Sequence, residues 1–249
     1  MPRELQYLRI AAELRQQVAH GRLAPGHLLP SESALADEHA VSRVTVRKAL
    51  AQLKEEGIVD SRQGFGWYVV GTPLRQSLRD LTTIERHVRA AGREPSREIV
   101  RFSFRDTPAA LAGVLTTDLV LEIARIDRVN GQAFAAATVW ARADLAADLS
   151  PRALEKRPLS DQLGVELGGA TQVITAVGAS KEDAEQLGVP KGAPLLRVQR
   201  TTRDVSGRAV LLSDARYNPL VTEIVAELPP AVNDMDRGIR LITAAEPRQ

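Results

Sequence analysis

The sequence predicts an α+β protein made of two units with different patterns. Between residues 5 and 55, apolar residues recur at helical spacing, and a hairpin pattern follows at residues 61–70. From residue 97 onward, six runs with β character are separated by turn residues and short helical patterns. Because strands and helices segregate in this second unit instead of alternating strictly, we expect an antiparallel sheet there.

Composition narrows the possible classes of protein. The 249 residues are enough for more than one domain, and a hydrophobic fraction of 44% is enough for sizeable cores. The absence of cysteine excludes disulfides, thiolate metal sites and a cysteine nucleophile. Because the net charge is only +2, any binding to nucleic acid must depend on local basic clusters. No long apolar run and no signal-peptide pattern occurs, so we expect a cytoplasmic protein without membrane contact.

After a first helix predicted over residues 5–20, two short helical patterns occupy residues 31–53. Ser31 and Ser42 are placed to cap them, because serine side chains accept hydrogen bonds from free amides at a helix start. The connection between the two helices has the length of a helix-turn-helix. The second helix has an apolar face formed by Val46, Ala49, Leu50 and Leu53.

The opposite face of this second helix predicts a contact with DNA. Its polar residues are Arg43, Thr45, Arg47 and Lys48. Arginine donates paired hydrogen bonds to guanine in the major groove, and hydroxyl groups bond to phosphates. A solvated amphipathic helix has the same periodicity, but the basic hairpin that follows, turned at Gly64 and Gly66, favours a winged helix.

Five short motifs follow one another within residues 5–70. They are the run 21–26, Leu29-Pro30-Ser31-Glu32, the run 41–50, Glu56-Gly57-Ile58 and Gln63-Gly64-Phe65-Gly66. In this order they resemble the GntR superfamily of bacterial transcription regulators. Ser33 departs from the arginine that is common there, which weakens that contact. From the helix face and the resemblance we predict DNA contacts at Ser31, Ser33, Ser42, Arg43, Thr45, Arg47, Lys48, Gln63, Gly64 and Phe65, with the last three reaching the minor groove.

The second unit is predicted to begin after a linker at residues 72–82. Its strands are expected at residues 97–105, 119–129, 132–140, 171–179, 195–204 and 208–217. Two hairpin turns are expected, at Asn130-Gly131 and at Val205-Ser206-Gly207. Helices are expected at residues 84–91, 108–115, 154–163, 181–187 and 220–228.

Landmarks of this second unit form a further pattern. They are Arg125, the Asn130-Gly131-Gln132 turn, the run 184–196, Arg200, the Ser206-Gly207-Arg208 turn and Tyr217. They resemble the UTRA effector domain of the HutC branch of the same superfamily. The resemblance implies a six-stranded antiparallel sheet of the chorismate-lyase type, a small-molecule pocket and a homodimer formed through this domain. The predicted boundaries are 1–71 for the winged helix-turn-helix domain, 72–82 for the linker, 83–243 for the UTRA-like domain and 244–249 for a tail.

Strand parity suggests where an effector binds. In the run 119–129, Arg125 and Asp127 join an otherwise apolar face, and charges on such a face need partners or a ligand. An internal Arg125–Asp127 pair and a core role for the aromatics remain alternatives. The predicted effector contacts are Arg125, Asp127, Thr138, Trp140, Ser213 and Tyr217. Because Asp127, Ala137 and Leu211 replace polar residues of phosphosugar-binding relatives, we expect a less phosphorylated and more apolar effector.

These patterns together predict a ligand-responsive transcription regulator, a repressor rather than an activator. It is expected to bind an inverted-repeat operator in double-stranded DNA as a homodimer, and to be released or repositioned by a small-molecule effector without metal or cofactor. One alternative is a carboxylate-dependent, lyase-like enzyme with an appended DNA-binding domain; all four histidines precede the predicted sheet, so a histidine base is excluded there. The other alternative is an effector-independent DNA-binding protein, against which the size of the second unit argues.

Overall fold

The computed structural model describes residues 3–77, 88–89 and 92–226. The N-terminal unit has three helices and one antiparallel hairpin, in the predicted order. They are α1 (Arg3–Ala19), α2 (Glu32–Glu38), α3 (Arg43–Glu55), β1 (Val59–Arg62) and β2 (Gly66–Val69). The helix predicted at residues 84–91 lies outside the described residues except for two positions, and the predicted tail lies wholly outside them.

Local sequence explains how α2 and α3 begin. Ser31 Oγ accepts a hydrogen bond from the Ala34 amide at 3.1 Å, and Ser42 Oγ accepts one from the Thr45 amide at 3.2 Å. Behind α3 lies a fully buried apolar core in which α1 packs against α3; its members include Ile10, Val46, Ala49, Leu50 and Leu53. The core fixes α3 so that its other face points to solvent.

The C-terminal unit is a six-stranded antiparallel sheet with the strand order β4-β5-β6-β9-β8-β7. Its elements are β4 (Pro95–Asp106), α4 (Ala109–Leu115), β5 (Leu119–Val129), β6 (Gln132–Arg142), α5 (Pro151–Lys156), β7 (Leu167–Gly178), α6 (Lys181–Leu187), β8 (Pro194–Asp204) and β9 (Ala209–Tyr217). Both central residues of the turn between β5 and β6, Asn130 and Gly131, have positive φ, as a tight two-residue hairpin requires.

Helices cover both faces of this sheet. Leu154 of α5 packs with Leu121, Ile123 and Val139, so we call this side the α5 face. The other side carries α4 at one end and α6 at the other, and we call it the α6 face. Because directly paired residues of antiparallel strands point to the same side, the register assigns each strand residue to one of these faces.

Two predicted helices differ from the structure. The helix expected at 154–163 ends at Lys156, and a separate 3₁₀ turn (Leu159–Gln162) follows Pro158, which cannot continue a helix. The segment expected as a helix at 220–228 contains strand β10 (Thr222–Val225), whose β-branched residues favour a strand. It pairs in parallel with β3 (Leu74–Ser77), so the segment predicted as a linker begins with a strand. Within the described part of the chain, no helix is long and apolar enough to cross a membrane.

Candidate DNA-binding surface and effector site

The exposed face of α3 carries two arginines that are held by one carboxylate. The side chains of Arg43 and Arg47 are 64% and 65% exposed, whereas that of Glu32 is 17% exposed. Arg47 donates two hydrogen bonds to Glu32, from Nη2 at 2.8 Å and from Nε at 3.3 Å, and Arg43 Nη2 lies 3.9 Å away from it. Trp67 Nε1 of the hairpin also donates to Glu32 at 3.3 Å. These contacts, chiefly the hydrogen bond from Arg47, hold the pKa of Glu32 below its ordinary value.

Glu32 therefore orients Arg47 through hydrogen bonds and attracts Arg43 through a longer ion pair, and both arginines stay exposed. A carboxylate that accepts from the guanidinium groups restricts their rotamers, so less conformational entropy is lost when they bind a ligand. Lys48 is exposed on the same helix. Ser31, Ser33 and Ser42 are exposed at the starts of α2 and α3.

Thr45 differs from its predicted role. Thr45 is only 5% exposed, and its Oγ1 lies 2.9 Å from Ser42 Oγ. Burial leaves this hydroxyl unavailable to a DNA phosphate, and its contact instead fixes the cap at the start of α3. We therefore do not retain Thr45 among the DNA contacts.

The tip of the hairpin, which is the wing of the winged helix, packs against the C-terminal unit. Phe65 is 5% exposed and belongs to a core that includes Phe134, Leu195 and Val221 of that unit. A side chain at Gly64 would come within 3.0 Å of a carbon of Pro194. Gln63 and Gly64 remain exposed, but the predicted DNA contact of Phe65 is wrong for this arrangement, because its ring is enclosed by the sheet domain.

A hydrogen bond supports the same docking. Arg62 Nη1, next to the turn of the wing, donates to the carbonyl of Pro219 at 3.3 Å. Leu28 and Tyr68 of the N-terminal unit pack against the same core as Phe65. We call the set formed by Arg62, Gly64 and Phe65 with Pro194, Leu195 and Pro219 the wing contact. It connects the DNA-binding unit directly to the sheet.

On the α5 face, a buried aspartate joins two arginines. Asp127 Oδ1 accepts a hydrogen bond from Arg97 Nε at 3.0 Å, and Asp127 Oδ2 lies 3.2 Å from Arg125 Nε. Arg97 Nη1 also donates to the carbonyl of Leu154 in α5 at 3.0 Å. The internal Arg125–Asp127 pair that the sequence left open is therefore present, and Asp127 is only 6% exposed.

A second arginine group lies on the same face across the sheet. Arg200 Nε donates to Gln172 Oε1 at 2.8 Å, and among the described residues no carboxylate forms an ion pair with Arg200. Burial lowers the pKa of Arg200, while Tyr217 acts in the opposite direction. Gln172 Nε2 is buried without a hydrogen bond, as is Arg125 Nε, whose approach to Asp127 is an ion pair only. Unsatisfied groups of this kind can donate but not accept.

Strand register divides the six predicted effector residues between the two faces. Arg125 pairs with Ala137, and Ser213 and Tyr217 belong to the same side. Thr138 pairs with Asp214, so Thr138 and Trp140 lie on the α6 face. Their side chains therefore point away from those of Arg125 and Tyr217, which corrects the predicted grouping, although Arg125 and Thr138 both line the cavity beneath α6.

The physical reason for this correction is a β-bulge. The turn at Asn130-Gly131 pairs Val129 with Gln132, and a regular hairpin would then pair Arg125 with Ala136. A bulge between Asp127 and Arg128 shifts the register by one residue. A one-residue shift in pairing moves every side chain of a strand to the opposite face of the sheet. Thr138 and Trp140 would share the face of Arg125 in the regular hairpin, and the bulge places them on the other face.

Thr138 and Trp140 have different surroundings on the α6 face. Trp140 Nε1 donates to Glu122 at 3.0 Å, and its ring packs near α4. Thr138 lines a cavity of about 240 Å³ beneath α6, together with Arg101 and Arg216. Both arginines are already paired with carboxylates, Arg101 with Glu122 at 3.0 Å and Arg216 with Asp214 at 2.8 Å.

Comparison with known proteins identifies the class of the molecule. Residues 6–69 match the model described as "Bacterial regulatory proteins, gntR family", and residues 90–220 match the UTRA domain. The chain therefore belongs to the GntR family of transcription regulators and carries a UTRA effector-binding domain, which confirms the expected resemblance. The lyase-like enzyme considered as an alternative is not supported, because the relatives are named as transcription regulators.

Individual relatives cover most of the chain. The transcriptional repressor NagR of Bacillus subtilis is 30% identical over 82% of this chain and 86% of its own length. The probable transcriptional regulator PhnF of Escherichia coli is 30% identical over 87% of this chain and 90% of its own length. The crystal structure of PhnF from Mycobacterium smegmatis has the same fold, with a TM-score of 0.60 at 23% identity over 89% of this chain and 99% of that one.

Three residues of these sites were not predicted as functional. Glu32 is part of the Leu29-Pro30-Ser31-Glu32 motif, but its contacts with Arg43 and Arg47 depend on the packing of α2 beside α3. The sequence marks Arg200 as part of the UTRA resemblance without assigning it a contact, and it predicts Arg97 as a strand residue without a role in a site. Arg97 pairs directly with Asp127 in the sheet, but the register of two strands separated by α4 and the contact with Leu154 both depend on distant residues and leave no local signal.

Proposed function

We propose that the protein is a repressor that binds an inverted-repeat operator as a homodimer and changes its affinity for DNA when an effector binds. The observation that carries the DNA-binding part is the pair Arg43 and Arg47, held side by side by Glu32 on an exposed helix face. The repressor role is supported by the name of the Bacillus subtilis relative. Such a regulator acts in the cytoplasm, where the bacterial chromosome lies.

In this proposal α3 lies in the major groove. Arg43 and Arg47 donate to base edges or phosphates, and Lys48 binds the phosphate backbone. The exposed serines at the helix starts, Ser31, Ser33 and Ser42, bond to phosphates and fix the register. A closed two-fold dimer presents two such helices, which is why the operator is expected to be an inverted repeat.

The test replaces both arginines of α3. The Arg43→Ala, Arg47→Ala double variant should bind operator DNA at least roughly 10-fold more weakly, because a bidentate contact to guanine contributes about 1–3 kcal/mol. The matched control is Arg22→Ala, which removes an exposed arginine of the same unit outside α3. Fluorescence anisotropy with labelled operator measures both, and equal affinities of the double variant and the wild type would exclude α3 as the reading helix.

We propose that the wing contact is the low-affinity arrangement of the molecule. With Phe65 enclosed and Gly64 against Pro194, the wing cannot enter a minor groove. An effector can favour this arrangement only by binding it more tightly than the DNA-bound one. Coupling of this kind typically amounts to about 1–3 kcal/mol, or roughly 5- to 150-fold in operator affinity.

Truncating Phe65 tests this switch. Phe65→Ala should weaken the wing contact and raise the affinity of the ligand-free protein for its operator. Phe104→Ala is the control, because Phe104 is 43% exposed on β4 and lies outside the contact. If Phe65→Ala binds the operator more weakly while Phe104→Ala does not, the docked wing is not inhibitory.

We place the effector on the α5 face, between Arg125 and Arg200 and beside Ser213 and Tyr217. Three observations support this position. Arg200 donates to the neutral Gln172 and forms no ion pair with a carboxylate among the described residues. Buried donors of Arg125 and Gln172 are unsatisfied, and Arg97 and Arg125 share a single aspartate. Donors without acceptors in a cationic site require a ligand with acceptor oxygens, so the effector carries an anionic group. The expected apolar character then applies to the rest of the effector.

Two matched arginine variants distinguish this site from the cavity under α6. Acetate and inorganic phosphate, each added at constant ionic strength, should raise the melting temperature of the wild type, since a ligand bound only to the folded state stabilises it. The rise should be lost in Arg200→Met and kept in Arg101→Met. The reverse result would assign the anion site to the cavity under α6 instead.

A further inference from the structure

The two edges of the six-stranded sheet differ sharply in chemistry. The order β4-β5-β6-β9-β8-β7 leaves β4 and β7 without a second strand partner among the described residues. An edge strand presents a row of unpaired backbone amides and carbonyls, which is a template for pairing with another chain. Proteins that must avoid such pairing place charges, proline or bulges on the edge.

Edge strand β4 carries all three of these features. It begins with Pro95, and a bulge interrupts its register between Ile99 and Arg101. Its charged residues are Arg97, Glu98, Arg101, Arg105 and Asp106. This edge is protected against pairing with another strand.

Edge strand β7 has none of them in its central part. Its twelve residues, Leu167–Gly178, include no charged residue and no proline, and the only irregularity lies at its start, between Leu167 and Gly169. Val173 is 51% exposed and Ile174 is 39% exposed, and because they are adjacent in a strand they point to opposite faces. The centre is rich in β-branched residues, which favour strand pairing.

We infer that β7 pairs antiparallel with β7 of a second copy of the chain and joins the two six-stranded sheets into one. The inference rests on the proposed homodimer and names its interface. In a two-fold antiparallel pair the residues next to the axis lie opposite their own symmetry mates, so a charged residue there would face a like charge. A strand without charge avoids this repulsion, which favours a second copy over a partner recognised through complementary charges.

The length and neighbourhood of β7 support this choice. Twelve residues extend about 40 Å at roughly 3.3 Å per residue, which allows a long ladder. Gln172, at the centre of β7, accepts the hydrogen bond from Arg200. The proposed effector site therefore lies directly beside the strand that would join the two copies, so an effector at Arg200 would lie next to the dimer interface.

Matched lysine variants test the interface. Wild type is expected to sediment at twice its 27.1 kDa chain mass in analytical ultracentrifugation. The Val173→Lys, Ile174→Lys variant should raise the dimer dissociation constant by roughly 100-fold or more, because it places like charges close together near the centre of the interface on both faces of the sheet. Val100→Lys is the control, since Val100 is 50% exposed on the other edge strand, and it should remain dimeric.

The outcomes separate the interface from the dimer itself. A doubly substituted variant that dimerises like wild type would overturn the β7 interface but leave the homodimer proposal intact. A wild type that sediments at 27.1 kDa at micromolar concentration would overturn both.

Cysteine scanning keeps the inference testable if the lysine variant does not fold. The chain has no cysteine, so any disulfide formed by a single-cysteine variant must involve the introduced residue. Under a mild copper oxidant, cysteines placed one at a time at residues 171–175 should form intermolecular disulfides most efficiently at the positions nearest the axis, where Cα atoms come within the roughly 4.4–6.8 Å that a disulfide requires. Val100→Cys should not crosslink. Crosslinking at residue 100 but at none of 171–175 would assign the contact to β4.

Discussion

Two clusters in this molecule have the same composition, one carboxylate and two arginines, but different surroundings. Glu32 holds Arg43 and Arg47, whose side chains are about two-thirds exposed. Asp127 holds Arg97 and Arg125, whose side chains are 4% and 20% exposed. The two clusters differ in burial and not in composition. The exposed arginines are accessible to a ligand such as DNA, whereas the buried cluster connects the sheet to α5.

The difference follows from the cost of removing charges from water. A buried charge without its partner is strongly unfavourable, whereas an exposed one is compensated by solvent. Arg97 is buried and donates both to Asp127 and to the carbonyl of Leu154, so a ligand could bind it only by displacing buried contacts beneath α5. Glu32 can share Arg47 with a phosphate or a base at small cost, because water screens the change.

The largest expected effect comes from the buried cluster. Asp127→Asn leaves the charges of Arg97 and Arg125 without their carboxylate, and removing one partner of a buried ion pair typically costs about 3–5 kcal/mol of unfolding free energy. Urea denaturation measures this cost for wild type and variant. A loss below 1 kcal/mol would mean that water reaches Asp127 and that the two clusters do not differ as we argue.

A smaller effect of a different kind is expected from the exposed cluster. Arg47→Ala should reduce operator binding by about 1–3 kcal/mol if it is bidentate to a guanine, while the unfolding free energy changes by no more than about 0.5 kcal/mol, as for other surface positions. Operator titration and urea denaturation of the same preparation measure the two quantities. A variant that loses stability and keeps its operator affinity would reverse the roles assigned to the two clusters.

The sequence predicts correctly those features of the structure that depend on residues close together in the chain. The caps Ser31 and Ser42, the turn at Asn130-Gly131 and the bounds of β5 were predicted, because each follows from local hydrogen bonding and alternation. The order of strands and helices in the sheet domain also followed, except at residues 154–163 and 220–228. These elements are local, and their signals lie within a few residues.

The failures involve contacts between distant residues. The bulge after Asp127 changed the register of one hairpin by a single residue and so moved Thr138 and Trp140 to the other face. Phe65 had the pattern of an exposed wing tip, but it packs on residues more than sixty positions later in the chain. Neither the bulge nor the wing contact leaves a periodic signal, so no local pattern predicts them.

The smallest expected effect is the pH dependence of the exposed cluster. Because the hydrogen bond from Arg47 lowers the pKa of Glu32 in the folded state, its stabilisation is fully present above the ordinary value of 4.5 and is lost as the pH falls through the lowered folded value. Glu32→Gln should therefore lower the unfolding free energy at pH 7, and the gap to wild type should close below about pH 4. Since Arg47 is 65% exposed, solvent screening limits this gap to about 1 kcal/mol or less. A gap of several kcal/mol at pH 7, or one that widens on acidification, would show that the Glu32 cluster behaves like the buried one.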